Sequence, residues 1–132
     1  MKKLLTAALL LATMAANTAR ADQYLGMVSL ADNTDRDVVM LGPCPSFANR
    51  PVSEIQLRVK AFAAEINHLE VEYGNGAYDT LQVKEHFYPG TESRWINLRG
   101  GMRCIKKIVI VGDSDTFGNH PRKQSKIFIF GR

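Results

Sequence analysis

The chain is poor in cysteine, histidine and tryptophan, with two Cys, three His and one Trp among 132 residues. Two cysteines, Cys44 and Cys104, exclude a disulfide-dense miniprotein, and without a Cys-x-x-Cys pair they are a poor match to a zinc site or a redox motif. The histidines His68, His86 and His120 stand too far apart to form a metal-ligand spacing, and a cluster made only by folding leaves no trace at this level. There is no Gly-x-Ser-x-Gly elbow, and Gly100-Gly101 lacks the Lys-Ser/Thr that a phosphate-cradling loop needs. No apolar run approaches the roughly 20 residues required to cross a bilayer as a helix. These absences leave no motif for catalysis and no cofactor to expect.

What is present begins with an address. Met1-Lys2-Lys3, the apolar segment Leu4 to Ala16 and the small-x-small triplet Ala19-Arg20-Ala21 form the three parts of an export signal, with cleavage expected near Ala21. An N-terminal anchor helix is the competing reading, and no cysteine follows the segment to take a lipid. The expected organisation is therefore a signal peptide over 1–21 and a single domain over 22–132, in the periplasm or secreted, with no membrane span once the signal is removed. Lys2, Lys3 and Arg20 lie inside the signal, so the excess of 17 basic over 13 acidic residues falls to 14 over 13 beyond it. Net charge then gives no reason to expect nucleic-acid or anionic-membrane binding, which would need a clustered basic surface. An even pair of cysteines in an oxidising compartment predicts a Cys44–Cys104 disulfide. It would close a loop of about 60 residues, worth roughly 4 kcal/mol in the chain-entropy view.

Beyond the signal the pattern is that of short strands. Tyr24–Leu30 and Arg36–Leu41 are apolar and flank the turn-forming cluster Ala31 to Asp35. Gly42-Pro43-Cys44-Pro45 ends the second strand, and irregular chain follows to Pro51. Glu54–Lys60, Asn67–Tyr73 and Asp79–Lys84 alternate apolar and polar residues, the signature of half-buried strands. Arg58 and Lys60, Glu70 and Glu72, and Lys84 occupy their polar sides, so adjacent antiparallel pairing would set opposite charges across from one another. Ala61 to Glu65 reads as a hairpin connection or one helical turn. Trp95 to Leu98 is a further strand, Gly100-Gly101 a reversal, and Ile108 to Val111 a strand apolar on both faces. After a polar loop, Lys126–Phe130 is the last. About eight short strands without a convincing helix predict an all-β antiparallel two-sheet sandwich, with a small closed barrel as the alternative.

Leu25-Gly26, the cysteine after the second strand, Ile55-Gln56-Leu57, Trp95-Ile96-Asn97, Arg103-Cys104-x-x-Lys107-Ile108 and Gly112 together resemble the YaaI-like family of small exported bacterial proteins. The Trp-Ile-Asn to Arg-Cys block is the most specific part of that likeness. The resemblance implies a periplasmic β-rich domain of unknown function, and it transfers no catalytic residue.

Three constellations merit testing. Asp113, Asp115 and Gly118 sit at the first, third and sixth positions of a calcium-type loop, but Phe117 takes a ligand position and Gln124 stands where a Glu is needed. A solvated inter-strand loop fits these residues better. Glu70 and Glu72 share a strand face at a separation a glycosidase uses, although nearby basic residues favour ordinary ionised carboxylates. Trp95, Ile108 and Ile110 are expected in the structural core, and Arg94, Arg99 and Arg103 around the tryptophan could form a recognition patch, although solubilising strand-end charges fit them better. The reading as a whole is a monomeric, exported, non-catalytic binding module for an envelope or secreted partner. An inhibitor of a secreted enzyme and a small envelope-polymer hydrolase are the alternatives.

Overall fold

A computed structural model describes residues 22–30, 35–114 and 124–132. The strands are β1 (Gln23–Leu30), β2 (Asp35–Met40), β3 (Glu54–Lys60), β4 (Ala64–Tyr73), β5 (Tyr78–Phe87), β6 (Ile96–Asn97), β7 (Ile105–Ser114) and β8 (Ser125–Gly131). They form two four-stranded antiparallel sheets, ordered β1-β8-β3-β6 and β2-β7-β4-β5. This is the expected two-sheet sandwich, and among the described residues no barrel closes. No helix among the described residues is long and apolar enough to cross a membrane.

Period-two patterning decides which side chains go between the sheets. Ile55, Leu57 and Val59 of β3, Leu69 and Val71 of β4, and Ile127 and Ile129 of β8 are wholly buried. β7 lies between β2 and β4, with Ile108 and Ile110 turned inward and fully buried. Its outward Val109 and Val111 are buried too. Arg36 pairs with Val111 in register and Glu70 with Val109, so the Arg36–Glu70 ion pair reaches over β7 from one neighbour to the other.

Three local expectations change. β3 joins the first sheet between β8 and β6, so it is not a neighbour of β4. Arg58 and Lys60 therefore meet aromatic rings rather than Glu70 and Glu72: the Arg58 guanidinium lies 3.8 Å from the Phe130 centroid and Lys60 Nζ 5.2 Å from that of Phe128. The Ala61 to Glu65 segment is neither a hairpin nor a helical turn. Ala61 takes a left-handed φ of 73° and the chain crosses to the other sheet, where β4 already begins at Ala64. Gly100-Gly101 does reverse the chain, with φ of 91° and 78°, but the strands on either side belong to different sheets.

Trp95 is half-buried at the margin of the first sheet, with the Arg132 guanidinium 4.1 Å from its ring, while Ile96 and Leu98 take the inward positions. The short β6 runs along β3 for only two residue pairs, too little sheet to cover an indole. Trp95 thus lies outside the buried core that holds Ile108 and Ile110.

Candidate functional site

The segment that leaves β2 is irregular because its sequence removes ladder donors: Pro43, Pro45 and Pro51 have no backbone N–H. It is nonetheless held at several points. The Cys44–Cys104 disulfide ties it to the start of β7, with the two Cα atoms 5.8 Å apart. The Ser46 N–H donates to Asn49 O at 3.0 Å, and the Asn49 N–H donates back to Ser46 O at 3.2 Å and to Ser46 Oγ at 3.1 Å. Asn49 itself is 1 % exposed and its Nδ2 donates to Ile105 O at 2.8 Å. The Arg50 N–H donates to Gln23 Oε1 at 3.2 Å. Val52 and Arg103 then exchange both backbone hydrogen bonds, at 2.9 and 2.8 Å.

This bracing leaves a two-residue tip, Phe47-Ala48, pointing into solvent. Phe47 is 99 % exposed. An aromatic ring held wholly in water on a pinned loop does nothing for the core and is free for a contact outside the chain.

Residues flanking the tip line two clefts that carry basic side chains. One cleft, of about 380 Å³, is lined by Arg50, Val52, Met102 and Arg132 among others. A second, of about 290 Å³, is lined by Cys44, Pro45, Asn75, Met102 and Arg103. Met102 belongs to both, so the two clefts meet at one end of the sandwich, on the turn formed by Gly100 and Gly101. The Arg103 guanidinium packs 3.5 Å from the Tyr73 ring centroid and donates to Arg99 O at 3.1 Å and Asn75 Oδ1 at 3.3 Å. Arg99 lies 3.6 Å from Asp79, and Arg132 lies 2.6 Å from Glu54. Burial, with the Asp79 charge beside it, raises the Tyr73 phenol above its ordinary value, so it remains a neutral ring beneath Arg103.

The other residues singled out from sequence are dispersed. Arg94 is not part of this end: it donates to Glu85 at 2.6 Å and to Gln82 O at 3.0 Å, along β5. Of the three arginines, only Arg99 and Arg103 come together. His68 lies 3.5 Å from Glu70 on the outward face of the second sheet, and the hydrogen bond from Arg36 pulls the Glu70 carboxyl below its ordinary range. Glu72, on the same face, is 3.6 Å from Lys107. The His86 ring stacks edge-on against Tyr88, 5.1 Å between centroids. Among the described residues no group of three His, Cys, Asp or Glu is placed to hold a metal. Asp113 lies on β7, while Asp115, Gly118 and His120 of the calcium-type loop lie outside the described residues.

Phe47, Arg50, Met102 and Arg132 were not singled out from sequence. For Phe47 the signal was there: a large apolar side chain inside Pro-Cys-Pro-Ser-Phe-Ala-Asn-Arg-Pro, which no strand or helix can absorb. The two arginines and Met102 reach one end only through the cross-sheet topology.

One family model, described as a domain of unknown function (DUF2541), matches residues 4–131. No curated protein and no solved structure matches the chain.

Proposed function

The chain belongs to the DUF2541 family, whose function is unknown, and from that premise we propose that it is an exported, non-catalytic binding module of the periplasm or cell envelope. In this reading residues 1–21 are its signal peptide, residues 22–132 its single domain, and the family the one called YaaI-like above. The signal-like N-terminus, the disulfide and the pinned loop all support it. The observation that carries the proposal is Phe47, fully in solvent on a loop fixed by a disulfide, a buried Asn49 and a backbone turn. A side chain already held in its display position loses little entropy on binding, which is how small surfaces reach useful affinity.

The same loop supports a second reading, an inhibitor of a secreted enzyme, because a rigid protruding aromatic is what a substrate-like plug requires. The hydrolase alternative has no comparable support. Glu70 and Glu72 lie on an outward sheet face next to Arg36, Lys106 and Lys107 rather than in a cleft.

The experiment is capture from envelope extract by the immobilised, oxidised protein beside its Phe47→Ser and Tyr24→Ser variants. Tyr24 is 54 % exposed on the outer face of the first sheet and serves as the control. Envelope material retained by wild type and by Y24S and lost with F47S is the expected result. Equal retention by all three, or none by any, contradicts the proposal.

A further inference from the structure

The disulfide-tied end also indicates what it binds. Resting on the binding-module reading above, we propose that this end docks on an anionic lipid surface, with Phe47 entering the interface and Arg50, Arg99, Arg103 and Arg132 meeting the headgroups.

Three observations support a bilayer. The first is the apolar tip. Phe47 is 99 % exposed, and Met102, 47 % exposed, lines two clefts that are also lined by Cys44, Pro45 and Arg50 of the same loop. A convex tip of this kind needs a matched cavity in a protein partner, whereas lipid moulds around it.

The second is charge. The carboxylates paired with Arg99 and Arg132, Asp79 and Glu54, are largely buried, with side chains 9 % and 25 % exposed. Arg50 and Arg103 have no carboxylate partner among the described residues. Four arginines here thus stand against two paired carboxylates, although the whole chain past the signal is close to neutral. Guanidinium groups on long apolar stems can stay with phosphate headgroups while the ring goes deeper.

The third is the backbone. A segment entering the interface must not bring unsatisfied polar groups with it. Pro43, Pro45 and Pro51 carry no N–H, and the N–H and C=O groups of Ser46 and Asn49 bond to one another. These features remove or satisfy several of the donors in the loop around the tip.

The test is co-sedimentation of the purified, oxidised protein with vesicles of phosphatidylcholine alone and of equimolar phosphatidylcholine and phosphatidylglycerol. Binding is expected only to the anionic vesicles and should fall as salt is raised. Phe47→Ser should weaken it on the order of tenfold, from the apolar transfer lost. Arg50→Gln should weaken it about fivefold, from one headgroup contact. Both side chains are exposed, so an unchanged Tm will show that each variant is folded. No sedimentation by wild type, equal binding to the two vesicle types, or an F47S variant that binds like wild type would overturn the proposal. Wild type that ignores both vesicles while F47S abolishes envelope capture would overturn the lipid assignment and leave the binding module standing.

Discussion

Arg36 and Glu70 show how much of the outer surface is settled by single residues. Their pairing bridges two strands over the outward valines of β7, and Arg36 Nη1 donates to Glu70 Oε1 at 2.9 Å. The Glu70 carboxyl is held below its ordinary 4.5, first by the hydrogen bond from Arg36. A carboxyl with a depressed folded-state pKa stabilises the fold above its unfolded value and loses that contribution as pH falls through the folded one. The pair is solvent-exposed, so the effect is small and sensitive to salt. Arg36→Gln should therefore raise the Glu70 titration, followed by carboxyl NMR, toward the ordinary range and remove a slight acid-side loss of stability. A Glu70 pKa unmoved by the substitution would show that the pair does not form in solution. None of this was legible in sequence, where Glu70 and Glu72 read as partners of Arg58 and Lys60.

At the scale of elements, period-two alternation located β3, β4 and β5, and the two-sided apolar run located β7. It could not say which strands are neighbours. β3 and β4 are separated by three residues, as hairpin strands often are, yet the left-handed Ala61 sends the chain to the other sheet. The turn between β4 and β5 also does more than reverse the chain. Gly74 lies against the disulfide, and a Cβ there would stand 3.0 Å from Cys44 Sγ and 3.3 Å from Cys44 Cβ. Its N–H donates to Cys104 O at 2.9 Å. Gly74→Val should consequently destabilise the protein by about 1–3 kcal/mol through overpacking. In a Cys44→Ser, Cys104→Ser background, already lower by about 4 kcal/mol in the chain-entropy view, the added cost should shrink because the two sites share one contact. Urea unfolding of the four proteins measures this directly, and strict additivity would mean that Gly74 does not press on the disulfide.

For the whole molecule, the sandwich was legible because its strands are amphipathic, and the disulfide because cysteine is scarce. The proposed docking end was only half legible. Arg99 and Arg103 stood out beside Trp95, but Arg50 and Arg132 are brought to them by a chain that changes sheet at nearly every connection. Near-neutral charge gave no sign of a basic surface, since it says nothing about how charges are placed. The central claim is that this end works outside the cytoplasm, on an oxidised chain without its first 21 residues. Intact mass of the protein recovered from the envelope fraction, after thiol alkylation without reduction, tests it most directly. The account predicts a chain beginning at Asp22, lighter than its reduced form by two thiol hydrogens and carrying no alkyl group. A chain that retains residues 1–21 with both Cys44 and Cys104 alkylated would contradict it.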